Sequence, residues 1–474
     1  MIKDMTSGNP TRLILTFAFP LLLGNIFQQL YNISDIIIVG RLLGVNALAA
    51  AGASAPIVNT LLLVTLGFTA GLCVITAQRF GAKDENGVRK SVTHSIVASI
   101  VMSFLITAAL SVYLRKILVK MNVPAEIMTD TYNFMFIQSL GLVMIVLYNL
   151  LSGFIRALGD SKTPLYFLIF SSVVNVMLNL FLIYVMKMGI IGSALGTLIA
   201  VTLSVICCTF YIYRRFPILH LRREDWILDQ KFMKRHLAVA IPMSLQFSVI
   251  AIGLLIIQTV CNSFGPNTIA AFTSALRIEQ LATQPMVALG LALATYSAQN
   301  YGAGMIGRIR RGVWNSSVIS LGFSICIALA VRFIGENMIG IFIENPAAEI
   351  ITIGHGYLNI TTMFYFFLGQ IFIYRNTLQG IGNTVTPMLA CIVELVMRSF
   401  AAVILAKRMG YLGLCYASPI AWVGAAAVVA GGYFLTIRSL RRKYFTNKMK
   451  WLAGKLGFNR KDAGAELSGT LPAE

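Results

Sequence analysis

Apolar runs of eighteen residues or more, separated by short polar segments, recur along this chain from Leu13 to Leu435. That is the length at which a helix crosses the hydrocarbon core of a bilayer. Taken in order the runs predict twelve spans, at 13–39, 47–76, 91–113, 131–155, 164–186, 191–213, 235–260, 268–297, 312–333, 351–374, 387–406 and 412–436. Strands of an outer-membrane barrel would alternate over about ten residues, which these runs do not do. The pattern predicts an all-α polytopic membrane protein with twelve transmembrane helices.

Composition sharpens this. Of 474 residues 57% are apolar and 12% charged, where a soluble domain carries about 25% charged residues. Too little polar sequence remains between the runs for a catalytic domain. The net charge of +20 would suggest nucleic acid if it were clustered on a soluble face. Instead the N-terminal segment, the even-numbered loops and the tail hold more than three times as many Lys and Arg as the odd-numbered loops. That bias predicts cytoplasmic N- and C-termini in a multi-pass protein of the plasma (inner) membrane, with no nucleic-acid partner. The first apolar run is too long for the core of a cleaved signal and reads as the first span.

The chain also repeats itself. Ala18-Phe19-Pro20 matches Ala240-Ile241-Pro242, Gly44-Val45-Asn46 matches Gly265-Pro266-Asn267, and Gln78-Arg79-Phe80-Gly81-Ala82 matches Gln299-Asn300-Tyr301-Gly302-Ala303. Gly159 with Thr163-Pro164 matches Gly382 with Thr386-Pro387, and Gly189 and Gly192 match Gly410 and Gly413. The offset stays between 221 and 223 throughout. Six spans per repeat put both halves in the membrane in the same orientation, a parallel pseudo-twofold layout that secondary transporters use. The expected division is an N-lobe at 1–215, a cytoplasmic linker at 216–234, a C-lobe at 235–436, and a basic interfacial segment with a disordered tail at 437–474.

Only Asp35, Glu279 and Glu394 among the acids lie inside predicted spans. A carboxylate there costs at least about 2.5 kcal/mol by insertion scales, so each is a functional candidate. Asn25, Gln28, Asn32 and Asp35, with Tyr31 beside them, draw one polar stripe along span 1. Asn175 and Asn179 are four apart and share a face of span 5. Glu394 and Arg398 are spaced as a helical ion pair, a structural reading. Arg277 and Glu279 do not face each other, so Glu279 needs a partner on another span. Pro20 and Pro242 could bend their helices, since each removes a backbone donor. The seven cysteines fall within or at the edge of apolar runs without CxxC spacing or a neighbouring His, which suits buried free thiols better than disulfides or metal. GxxxxGK[ST], HExxH and GxSxG motifs are all missing, so neither ATP use nor hydrolysis is expected and the chain does not read as an enzyme.

Leu30-Tyr31-Asn32-Ile33-Ser34-Asp35, the two GlnXxxXxxGlyAla span ends, and Arg156-Ala157-Leu158-Gly159-Asp160 followed by Thr163-Pro164 resemble the multidrug and toxin extrusion (MATE) transporters, in their bacterial DinF-like and MepA-like branch. The resemblance runs from about Asn9 to Leu440. It implies two six-helix lobes in a V that export amphipathic, often cationic, compounds in exchange for protons or sodium ions, with no other cofactor, working as a monomer. It also implies an ion-coupling site at Asp35, Asn175, Asn179 and Thr197, with Asn179 standing where some members carry Asp. A substrate cleft is expected along Gln28, Tyr31, Asn32 and Glu279, and related transporters bend span 1 near the position of Pro20. The rival reading is a flippase for lipid-linked oligosaccharides, which should offer several cationic residues in its spans, where this chain has Arg277 and Arg398.

Overall fold

The computed structural model describes residues 3–340 and 347–455, which are helical almost throughout and contain no strand. Helix α1 (Pro10–Gly81) opens with Pro at its first position and with the Asn9 side chain accepting from the backbone N–H groups of Thr11 and Arg12, a standard N-terminal cap. At about 1.5 Å per residue, 72 residues would extend to more than three times the hydrocarbon thickness of about 30 Å. The chain breaks this length at Gly44, whose φ of 80° and ψ of −168° leave the helical region and suit only a residue without Cβ. The loop expected at 40–46 is therefore a single-residue turn. Neither Pro20 nor Pro242 interrupts its helix, since Gly44 is the one residue of α1 with non-helical dihedrals and α6 continues through Pro242.

The remaining elements are α2 (Glu85–Lys120), α3 (Ala125–Ala157), α4 (Lys162–Leu180) continuing into a π-helical turn at Phe181–Val185, and α5 (Gly189–Arg215). After two short turns at Pro217–Leu219 and Arg223–Trp226 come α6 (Gln230–Asn262), α7 (Pro266–Gly302), α8 (Ile306–Gly340), α9 (Ala348–Met363), α10 (Tyr365–Ile381), α11 (Val385–Met409), α12 (Tyr411–Cys415) and α13 (Ala417–Lys455). Nine helices among the described residues are long and apolar enough to cross a membrane, or ten if α9 and α10, bent by 52°, form one span. The protein is a multi-pass membrane protein. Helix α13 runs into the basic segment, whereas Leu456 and the tail expected to be disordered lie outside the described residues.

The repeat is written in the backbone. Positive φ occurs at Gly44 and Gly265, Lys83 and Gly304, Gly159 and Gly382, and Gly189 and Gly410, each pair at the offset the sequence shows. The Gly-Asp/Asn-Xaa-Xaa-Thr-Pro segments turn out to be helix starts. Asp160 accepts from the backbone N–H groups of Lys162 and Thr163 and from the Thr163 hydroxyl; Asn383 accepts from the Thr386 N–H.

Where the chain halves meet, the paired GlnXxxXxxGlyAla segments make the crossing. Gln78 Nε2 donates to Gly380 O at 2.8 Å and Gln299 Nε2 donates to Ala157 O at 2.8 Å, both buried. A Cβ at Gly81 would collide with the Gln299 carbonyl oxygen and one at Gly302 with that of Gln78, so two backbones touch there. The connector binds the same end: Thr93 donates to Asp225 O, the Asp229 N–H donates to His94 Nε2, and Arg89 pairs with Asp225 at 3.4 Å. Buried clusters at this end mix the halves, with Val74, Ile75 and Ala157 against Val239, Met243 and Ala298, and Ile14 and Phe17 against Leu293 and Tyr296. At the opposite end each half keeps its own cluster, Val39, Leu114 and Phe134 in one and Ile257, Phe272 and Tyr357 in the other. The two halves are thus joined at the connector end and packed separately at the other.

Gly302→Ala should force this crossing apart and cost about 1–3 kcal/mol, the range for overpacking. Gly307→Ala, with nothing within 4 Å of its would-be Cβ, should not destabilise. Thermal unfolding of the two variants in detergent checks the difference, and equal melting temperatures would contradict it.

Candidate functional site

Asp35 sits in the first segment of α1, and the structure gathers the predicted oxygen donors around it. Asn179 Nδ2 donates to Asp35 Oδ1 at 2.7 Å and to Asn175 Oδ1 at 3.1 Å, and Asn175 Nδ2 donates to Thr197 Oγ1 at 3.0 Å. Thr197 Oγ1 in turn donates to Ser193 O at 3.2 Å. Four side chains from α1, α4 and α5 therefore form one chain of hydrogen bonds. Asn175 and Asn179 are buried and Asp35 is half-buried, so the carboxylate is the open end. Tyr31 lies beside both Thr197 and Asp35.

Two features that hold this arrangement were not among the expected residues. A Cβ at Gly196 would strike Asn179 Oδ1, so the glycine admits α4 close enough for the amide to reach across. That oxygen is buried and has no partner. The π-helical turn begins two residues after Asn179; such turns shift helix register and are frequent at functional sites. Gln28 and Asn32 hydrogen-bond each other at 3.3 Å on the exposed side of α1 and stay outside the Asp35 chain.

The first half alone carries this constellation. The repeat sets Ile256 or Ile257 opposite Asp35, and Arg398 or one of its two predecessors opposite Asn175.

Glu279, on α7, accepts from the Tyr357 hydroxyl at 3.0 Å, which supplies the partner that spacing left unnamed. It is half-buried and turned toward α9. Glu394 pairs with Arg398 at 2.6 Å as expected, and also with Arg375 at 3.0 Å. The apolar run ends at Tyr374, which puts Arg375 beyond the span expected at 351–374; α10 instead continues to Ile381, and Arg375 is buried. Two guanidiniums thus share one carboxylate inside the second half, an arrangement that needs every member present. No group of three or more His, Cys, Asp or Glu side chains able to hold a metal occurs among the described residues. A groove of about 550 Å³ between Leu61 and the Ile106–Lys120 part of α2 is mostly apolar and contains none of these residues.

Comparison with known proteins agrees with this architecture. The MatE family model matches the chain twice, over residues 20–181 and 242–404. Among similar proteins are "Probable multidrug resistance protein YpnP" of Bacillus subtilis, 29% identical over 80% of this chain and 84% of that protein, and "Probable multidrug resistance protein NorM" of Thermotoga maritima, 24% identical over 92% of each. Among solved structures, MATE in the bent conformation superposes with a TM-score of 0.87 at 22% identity, covering 93% of this chain and 98% of that one. That likeness is one of fold. With the family model covering both halves and the solved fold reproduced along nearly the whole chain, the protein belongs to the MatE family and is a MATE transporter, not an enzyme.

Proposed function

We propose that this transporter is a multidrug exporter that exchanges amphipathic, often cationic, organic compounds for protons by alternating access. In this reading the chain has twelve spans, two of them supplied by the segments of α1 on either side of Gly44. The lobes at 1–215 and 235–436 rock about the crossing at Gln78 and Gln299, with both termini in the cytoplasm and the protein acting as a monomer. The observation that carries the proposal is the Asp35–Asn179–Asn175–Thr197 chain, in which one carboxylate oxygen is tied to an amide and Oδ2 has no hydrogen bond among the described residues. That second oxygen can take a proton without dismantling the chain. The relatives named as multidrug resistance proteins support the substrate class.

The flippase reading loses support because Arg375 and Arg398 are buried on Glu394 and do not offer charge to a pyrophosphate. Sodium is the competing ion, since the site also presents the unpartnered Asn179 Oδ1. Proteoliposomes with pH and sodium gradients imposed separately decide between them. Export should follow an imposed pH gradient at fixed sodium and voltage. Export that follows only the sodium gradient would assign the site to sodium.

A further inference from the structure

Helix α7 carries a second polar feature that the ion site does not use. Gly302 points at the backbone of α1 at the crossing. Counting back along α7 at about 100° per residue, Gln284, Gln280, Arg277 and Thr273 all fall within about 40° of that direction. They are therefore on the face that α7 turns toward α1, beyond the point where the halves stop packing together. Thr273, Arg277 and Gln280 are exposed and Gln284 is half-buried. The equivalent face of α1, at the repeat offset, presents Gly52, Pro56, Asn59 and Leu63, all exposed. The two walls of the opening are thus chemically unequal, and Arg277 stands where the first half has Pro56.

Arg277 makes no hydrogen bond or ion pair among the described residues. Glu279, its acidic neighbour in sequence, is turned about 140° away from the Gly302 direction and is engaged by Tyr357. Glu394 is shared by two other arginines. An unpaired guanidinium facing lipid in mid-span is costly, whereas one lining a water-filled opening is solvated and functional by default.

We propose that Arg277, flanked by Thr273, Gln280 and Gln284, is a subsite that binds one carboxylate of an organic substrate. This rests on the exporter reading above and extends it to zwitterions and organic anions. A guanidinium fork matches a carboxylate bidentately, and the neighbouring amides and hydroxyl supply further donors. One free cation suits a single anionic group; a diphosphate would require more.

The test uses a rhodamine zwitterion with a free carboxylate and its methyl ester, which is a cation with the same ring system. Binding of each to the purified full-length protein is followed by fluorescence anisotropy. Arg277→Gln should weaken the zwitterion at least tenfold and leave the ester within about twofold; Arg277→Lys should recover part of the loss. Equal responses of the two dyes, or none, overturn the subsite. A response to Arg277→Gln by added phosphatidylglycerol and not by the zwitterion would mean a lipid phosphate occupies it, and would also overturn the assignment. These binding ratios do not depend on transport, so an export assay that fails to require Asp35 would defeat the exporter reading while leaving them intact.

Discussion

Asp35→Asn is expected to give a folded protein that still binds substrate and cannot concentrate it. The side chains are nearly isosteric, and the new amide oxygen can accept the 2.7 Å bond that Asn179 now donates to Asp35. The variant loses the one group in the chain of four that can gain and release a proton. Uphill export should fall to the background of empty proteoliposomes, about a hundredfold or more, while downhill exchange of labelled substrate continues. A second consequence concerns pH. A cation and a proton both neutralise the Asp35 carboxylate, so affinity for a lipophilic cation should fall as pH is lowered in the wild type and become flat in the variant. Normal uphill export by Asp35→Asn would remove the site from the mechanism.

Glu394→Gln should damage the protein in a different way. Arg375 and Arg398 are both buried and both rely on this carboxylate. Removing one partner of a buried ion pair typically costs about 3–5 kcal/mol, because the remaining charge is left without compensation; here two charges are left. Low yield and a melting temperature lower by ten degrees or more are the expected result. Adding Arg398→Gln to the same chain should recover part of the loss, since the two changes act on one network and are not additive. A Glu394→Gln protein as stable as the parent, with export abolished, would move this cluster from architecture to transport.

Hydropathy alone located most spans because lipid forces long apolar runs, and the repeat was readable because Gly, Pro and Gln occupy positions with strict backbone demands. Gly44 and Gly265 need positive φ, and Gly81 and Gly302 need backbone contact, so both pairs survive where ordinary core residues have changed. The hydrogen-bonded group around Asp35 was legible through the stripe in span 1 and the four-residue spacing of Asn175 and Asn179. Its supporting geometry was not, because the π-helical turn after Asn179 and the close approach at Gly196 leave no periodic signature. Arg375 was misplaced for a related reason. Polar residues at the end of α10 looked like a loop, yet Gln379 is satisfied by Gln246 and Gly380 by Gln78, across helices distant in sequence. The bend between α9 and α10 at Phe364 likewise falls inside an unbroken apolar run.

That the first half alone holds a carboxylate on such a chain has a thermodynamic consequence. In the mechanism proposed above Asp35 is the one titrating group of the site, so the exchange would carry a single proton per cycle, and the charge of the cargo would then decide which part of the proton gradient does work. A monovalent cation exchanged for one proton moves no net charge; only the pH difference drives it, at tenfold accumulation per unit, or about 1.4 kcal/mol. A zwitterion seated partly on Arg277 is neutral overall, so its exchange carries one net charge. Membrane voltage then adds about 2.3 kcal/mol per 100 mV, roughly a further fiftyfold in the attainable gradient. Two compounds differing by one carboxylate would be cleared to different limits by the same molecule in a polarised cell, and to equal limits once the voltage is collapsed.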